Sequence, residues 1–116
     1  MTQEQITMFN LGQSLDDLAN IDPRGYGICK ILYQASRTYT GSPISMNAAQ
    51  KLVNTVKQGD VVYIMTGFVL WPYKKAETDG IVSAMFLCRA LVTAFGAKPI
   101  GICPSEDYEA VKNVAS

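Results

Sequence analysis

Residues 61 to 95 read VVYIMTGF, then VLWPYKKA, then ETDGIVSAMFLCRALVTAF, and this stretch decides the fold. Its first five residues are mostly β-formers and uniformly apolar, which predicts a short strand buried on both faces. The helix predicted over residues 79 to 95 has, after its acidic start, only Arg89 as a charged residue. We therefore expect neighbouring elements to cover this helix extensively.

A second strand is predicted over residues 98 to 103, after a helix stop at Gly96. A strand, a helix and a strand in this order favour a parallel pair with a right-handed crossover. We predict an α/β fold, three-layer and Rossmann-like, with a short parallel sheet and N-terminal helices. Because 116 residues with 48% hydrophobic content are enough for one core, we expect a single domain over residues 1–116.

Helical periodicity is also present on both sides of this stretch. One or two short helices are predicted over residues 2 to 19 and another over residues 28 to 36, followed by the loop RTYTGSP. Ser45 is the predicted N-cap of a helix that reaches about residue 57. A final helix is predicted to about residue 114, and we assign no chemistry to the charged side chains of its solvated face, Glu106, Asp107, Glu109 and Lys112.

Composition excludes several classes of function. Lys and Arg total 10 and Asp and Glu total 10, so we expect neither nucleic acid nor an anionic membrane as a partner. The N-terminus lacks the basic start and apolar run of a secretory signal, and no uninterrupted apolar stretch approaches the roughly 20 residues that span a bilayer. The absence of histidine excludes Ser-His-Asp and Cys-His mechanisms. We predict no metal site and no organic cofactor.

The three cysteines, Cys29, Cys88 and Cys103, are an odd number without CxxC spacing. Two of them lie in apolar segments, which favours buried, reduced thiols over a disulfide framework. A cytoplasmic or similarly reducing compartment is expected.

Two motifs in the deciding stretch predict a ligand crevice. Thr66 and Gly67 follow the first strand, where a small residue lets backbone approach a ligand at the carboxyl end of a parallel sheet. ETDG, residues 77 to 80, combines two carboxylates, a hydroxyl and a glycine at a helix start, where unpaired N–H groups point out of the helix. The alternative is an ordinary capped helix, with Thr78 or Asp79 as N-cap.

Two other segments are weaker candidates. The loop from residue 69 to 76 holds Trp71, Tyr73 and two lysines, so it is either a lid over a small polar ligand or an ordinary exposed connection. In DPRGYG, residues 22 to 27, Arg24 either pairs with a carboxylate or faces water. The glycines there, Gly25 among them, allow backbone angles that expose N–H groups to an anion. Neither GxxxxGK[ST] nor GxGxxG is present, which argues against ATP and dinucleotides.

The order of these motifs resembles the C-terminal-type domain of the D-glutamate cyclase family. The order is TGF, an aromatic Pro-containing loop, then ETDG and a small, apolar helix. DPRGYG is similar to that family's Gly- and Arg-containing turn before a helix, and the resemblance covers roughly residues 20 to 103. This chain has Ile81 where family members commonly carry a proline soon after ETDG. The family domain is considerably longer, so we expect the chain to be either a fragment or truncated form of it, such as its N-terminal part, or a reduced relative.

The resemblance implies an α/β enzyme, cytoplasmic or in eukaryotes mitochondrial, that converts D-glutamate into 5-oxo-D-proline with loss of water. It implies a small amino-dicarboxylate as substrate. Residue type and position predict that Arg24, Gly25, Thr66, Gly67, Thr78 and Gly80 bind it. From residue type and position, Glu77 would act as base and Asp79 as acid or orienting group, and neither spacing nor the resemblance decides which carboxylate performs which step.

Two other classes of protein also fit the sequence. A binding or assembly module would hold a small anion in the same crevice without turnover, or form a homo-oligomer through the nearly all-apolar helix. A domain for a phosphate ligand would instead hold an anion at the start of that helix.

Overall fold

The structure, a computed structural model, describes residues 1–116. The chain divides into two compact units, Met1–Thr55 and Val56–Ser116, and each is described by itself. The first unit is all helical, and the second holds the strands. The prediction of one domain over the whole chain stays a prediction.

The first unit has three helices, α1 (Gln3–Ala19), α2 (Ile28–Thr40) and α3 (Ile44–Thr55). α1 is one continuous helix that begins with a capping box, in which the side chains of Thr2 and Gln5 each accept the other's backbone N–H. α2 extends four residues further than predicted and ends at Gly41, which has a φ of 70°. The first part of RTYTGSP is therefore helical, and the prediction of a loop there was wrong.

α3 is capped by a carboxylate that lies far away in sequence. Asp16 on α1 accepts hydrogen bonds from the backbone N–H of Ile44 at 2.6 Å and of Ser45 at 2.9 Å. It also accepts one from the Tyr33 hydroxyl at 3.1 Å. The helix begins at Ile44, so the prediction of Ser45 as N-cap was wrong. The N–H groups that an N-cap would satisfy bind Asp16 instead.

Asp16 makes the first unit sensitive to acid. Burial raises the pKa of this carboxyl, but hydrogen bonds from Ser45, Ile44 and Tyr33 outweigh burial and lower the pKa below its ordinary value of 3.8. A lowered folded-state pKa gives stability that is present above the unfolded-state pKa and is lost as pH falls through the folded-state pKa.

We therefore expect Asp16→Asn to lower the free energy of unfolding at pH 7 by about 1.5–3 kcal/mol, as for hydrogen bonds to a charged group. The difference from the unmodified protein should shrink below about pH 4, where the unmodified protein also loses the charge. Urea unfolding followed by circular dichroism at pH 7 and pH 3 measures both values. The control is Asp17→Asn, since Asp17 is exposed. Equal losses for the two variants at pH 7 would contradict the capping role.

The second unit contains a short parallel sheet and a hairpin. Strands β1 (Val61–Met65) and β4 (Lys98–Ile102) pair in parallel, with Val61 opposite Lys98 and Met65 opposite Ile102. Strands β2 (Val69–Leu70) and β3 (Lys75–Ala76) pair antiparallel. This mixed α/β arrangement confirms the predicted parallel pair, since α4 (Thr78–Phe95) lies between β1 and β4 in the chain. A 3₁₀ helix (Ser105–Asp107) and α5 (Tyr108–Ala115) complete the unit.

The prediction that β1 is buried on both faces was wrong. Tyr63 is 66% exposed and Met65 82% exposed, whereas Ile64 between them is only 8% exposed. Side chains alternate along a strand, so one face of β1 packs inward while the other is open. The reason is the width of the sheet, because two strands leave one apolar face uncovered. The residues of this exposed sheet face are Val61, Tyr63, Met65, Ile100 and Ile102.

The expectation that α4 is extensively covered was also wrong. Ile81, Ala84 and Leu91 are its buried residues, and Leu91 at 1% exposure is the best-buried side chain of this unit's core. Phe86 is 68% exposed and Val92 51% exposed. α4, with 18 residues and a mean hydropathy of 1.4, is long and apolar enough to cross a membrane. One such helix is weak evidence, since core helices of soluble proteins meet the same criterion.

Candidate functional site

The carboxyl end of β1 turns sharply at Gly67. The backbone N–H of Thr66 donates to the carbonyl of Ile102 at 2.9 Å, which extends the parallel pairing by one step. Gly67 is buried and has a φ of 96°, in the region that favours glycine. The two parallel strands therefore end together, and Gly67 redirects the chain away from the sheet.

The start of α4 lies beside this turn. The backbone N–H of Glu77 donates to the carbonyl of Phe68 at 3.1 Å, which joins the helix start to the segment after β1. Glu77 is the N-cap residue and makes no side-chain cap hydrogen bond, so the prediction of Thr78 or Asp79 as N-cap was wrong. The side chains of Glu77, Thr78 and Asp79 are all exposed.

One of the expected backbone donors is engaged within the motif itself. The N–H of Gly80 donates to Asp79 Oδ1 at 2.9 Å. Asp79 therefore holds the N–H that was expected to point at a ligand.

Thr66 and Gly80 lie against each other. A Cβ atom added to Gly80 would be 3.5 Å from Thr66 Oγ1, an ordinary van der Waals contact. Thr66 Oγ1 is buried and has no hydrogen-bond partner. The structure thus brings together two of the predicted site segments, the residues after β1 and the ETDG motif, at the carboxyl end of the sheet.

Asp107 is a site residue that the sequence analysis missed. It is 2% exposed, and its Oδ2 atom is buried without a hydrogen-bond partner. A Cβ atom added to Gly67 would lie 2.8 Å from this oxygen and 2.7 Å from Pro104 Cδ. The prediction that Asp107 belongs to a solvated face was wrong, whereas Glu106, Glu109 and Lys112 are exposed as predicted.

A signal for Asp107 was present in the chain order. The residue follows β4 by five positions, and the carboxyl ends of neighbouring parallel strands meet at one edge of the sheet. An acidic residue soon after either strand is therefore a candidate for the same site. The charged residues around Asp107 hid this signal, because they are typical of an exposed helix start.

The segment predicted to be either a lid or an exposed connection forms the hairpin of β2 and β3. Phe68, Trp71 and Tyr73 are between 74% and 78% exposed, and the Lys74 ammonium lies 5.5 Å from the centre of the Trp71 ring. β3 packs against the 3₁₀ helix that carries Asp107. The hairpin therefore presents aromatic side chains and a cation next to the candidate site.

DPRGYG lies in the first unit, in the loop between α1 and α2. The Asp22 carboxylate accepts the N–H of Gly25 at 3.1 Å and of Gly27 at 2.6 Å. The expectation that these amides are open to an external anion was wrong, since Asp22 occupies them. The side chain of Arg24 is exposed. The assignment of Arg24 and Gly25 to substrate binding stays a prediction.

The three cysteines differ in their exposure. Cys29 is exposed, contrary to the predicted burial, whereas Cys88 and Cys103 are half-buried. No three Cys, Asp or Glu side chains come together in a group that could hold a metal ion.

The second unit, with its candidate site at the carboxyl ends of two parallel strands, is typical of ligand-binding α/β proteins. A family model described as "D-glutamate cyclase-like, C-terminal" matches residues 15–116. The chain belongs to this family, as the resemblance in its motifs predicted. No curated protein and no solved structure matches the chain.

Proposed function

We propose that the chain acts as a carbon–oxygen lyase that cyclises D-glutamate to 5-oxo-D-proline with loss of water. Family membership supports the substrate class, and the contact between Thr66 and Gly80 at the strand ends supports the location. That contact carries the proposal, because it joins two segments that are more than ten residues apart at the edge where α/β proteins bind ligands. The proposed location in the cell is the cytoplasm, or the mitochondrial matrix in a eukaryote.

The reaction forms one bond and breaks one. The amine nitrogen bonds to the γ-carboxyl carbon, and one C–O bond of that carboxyl group breaks. The ammonium loses two protons, and both leave with the departing oxygen as water. The reaction is balanced without an oxidant or a cofactor, since one positive and one negative charge cancel.

The site supplies groups for each of these needs. Glu77 is proposed to take a proton from the ammonium, and Asp79 to act as acid or to orient the substrate. Backbone N–H groups near Gly67 and Thr78 are proposed to stabilise the tetrahedral oxyanion, since the first N–H groups of a helix point out of its end. One acid or base contributes about 10²- to 10⁴-fold, so oxyanion stabilisation must add to it.

The activity is tested with D-glutamate labelled with ¹⁸O at both γ-carboxyl oxygens. We expect 5-oxo-D-proline to form faster than in buffer alone and to retain one of the two labels, because the other leaves as water. Mass spectrometry of the product measures both rate and label. Product formation no faster than in buffer would overturn the proposal.

A second candidate is a non-catalytic module that binds a small anion or forms an oligomer. The apolar residues of α4 and of the exposed sheet face favour it, because so much exposed apolar surface is typical of an interaction site. The three-layer, Rossmann-like arrangement would require a further layer on that face. Binding of D-glutamate without turnover, together with a homo-oligomer in analytical ultracentrifugation, would support this candidate over the enzyme.

A further inference from the structure

The Asp107 carboxylate has no task within the chain. Its position is the N-cap of α5, yet it makes no side-chain cap hydrogen bond. It is 2% exposed, and Oδ2 has no partner. A buried carboxylate oxygen without a partner is unfavourable, so such atoms normally bind a cation or a hydrogen-bond donor. The missing partner is therefore expected to come from outside the chain.

The Asp107 carboxylate lies tightly against the chain at the end of β1. The closest neighbours of a Cβ atom on Gly67 would be Pro104 Cδ, Asp107 Oδ2 and Cys103 Cβ, at 2.7, 2.8 and 3.5 Å. Gly67 thus permits the approach of the carboxylate because it lacks a side chain. A larger residue at this position would occupy the space next to Oδ2.

A second buried oxygen without a partner belongs to Thr66, the residue before Gly67. Thr66 Oγ1 has no hydrogen-bond partner, so Thr66 and Asp107 do not satisfy each other. One of the two oxygens belongs to Thr66 itself, and the other lies next to Gly67, the following residue in the chain. An ionised carboxylate only accepts hydrogen bonds, and a hydroxyl accepts as well as donates. A ligand group that donates hydrogen bonds and carries positive charge fits this pair.

We propose that Asp107, with the Thr66 hydroxyl nearby, binds the ammonium group of an amino-dicarboxylate. This inference rests on the proposed function, because it names the residue that recognises the amine at the same site. The start of α4 then receives a carboxylate of the same ligand, as helix N-termini favour anions. The proposed consequence is specificity, since a dicarboxylate without an amine leaves Asp107 buried and unpaired.

The test compares the binding of D-glutamate and of glutarate, which lacks the amine, by isothermal titration calorimetry. We expect the unmodified protein to bind D-glutamate at least about 10-fold more tightly than glutarate. Asp107→Asn should weaken D-glutamate binding by about 30-fold, the loss typical of a broken buried charge pair, and leave glutarate binding unchanged. The matched control is Glu106→Gln on the same 3₁₀ helix, because Glu106 is exposed and should affect neither ligand.

Thr66→Val is a second variant, and it keeps the side-chain volume. We expect it to lower the affinity for D-glutamate several-fold and to leave the affinity for glutarate unchanged. Equal affinity of the unmodified protein for the two ligands, or equal losses for both in Asp107→Asn, would overturn the inference. So would the failure of both variants to fold, since Asp107 and Thr66 would then be structural. If MgCl₂ or KCl alone stabilised the unmodified protein against unfolding, and Asp107→Asn abolished this effect, the carboxylate would be assigned to a metal ion instead.

The two proposals fail in different ways. Selective, Asp107-dependent binding of D-glutamate without 5-oxoproline would overturn the cyclase activity and support the ammonium site. If 5-oxoproline formed, but Asp107→Asn lowered the affinities for D-glutamate and glutarate equally, the activity would be supported and the role of Asp107 overturned.

Discussion

Glu77→Gln is expected to lower kcat for D-glutamate cyclisation by about 10²- to 10⁴-fold while the affinity for D-glutamate is largely kept. Glutamine has nearly the same shape as glutamate but cannot take a proton from the substrate ammonium. The hydrogen bond that holds this residue in place comes from its backbone N–H to Phe68, so the substitution leaves it intact. The measurement is a steady-state assay of 5-oxoproline formation, with D-glutamate binding followed by calorimetry.

The control for this prediction is Glu109→Gln, which removes a carboxylate exposed on α5 and should leave kcat unchanged. Asp79→Asn provides a comparison within the motif, since asparagine retains the oxygen that accepts the N–H of Gly80. A kcat for Glu77→Gln within about twofold of the unmodified enzyme would remove Glu77 as the base, given the size of the usual general-base effect. If only Asp79→Asn lowered kcat, the proton transfer would be assigned to Asp79.

Gly67→Ala is expected to lower the free energy of unfolding of the second unit by about 2–5 kcal/mol. A left-handed backbone costs a residue with a Cβ about 1–2 kcal/mol, and forcing an extra carbon into packed surroundings about 1–3 kcal/mol. Both apply, because Gly67 has a φ of 96° and an added Cβ would be 2.7 Å from Pro104 Cδ and 2.8 Å from Asp107 Oδ2.

Gly59→Ala separates the two contributions. Gly59 also lies in the left-handed region, with a φ of 84°, but a Cβ atom added there has no heavy atom within 4 Å. It should therefore show only the backbone cost of about 1–2 kcal/mol. Urea unfolding of both variants measures the difference. Equal losses of unfolding free energy would show that Pro104 and Asp107 do not restrict the space at Gly67. D-glutamate binding should be lost in Gly67→Ala and kept in Gly59→Ala.

Local patterns predicted most of the backbone. Helical periodicity, the β-formers of residues 61 to 65 and the stop at Gly96 correctly predicted α4 and the two parallel strands. The sequence also predicted helix over residues 2 to 19 and the meeting of the end of β1 with the ETDG segment. These features depend on backbone preferences and chain direction within a few residues, and the sequence states both directly.

Burial was predicted less well. The apolar composition of β1 and α4 predicts that both are covered, yet Met65 is 82% exposed and Phe86 68% exposed. Composition tells how apolar a segment is, but the number of neighbouring strands and helices decides how much of it is covered. A sheet of two strands leaves one face open.

The sequence by itself determined the helical regions and the two parallel strands of this protein, its family motifs and the end of the sheet at which Thr66, Gly67 and ETDG lie. Only the tertiary structure decided that Asp16 caps α3 from 28 positions away and that Asp107 is buried next to Gly67. The physical reason is range. Backbone dihedral preferences act between near neighbours in the chain, whereas hydrogen-bond partners and burial depend on segments that meet only after the chain has folded.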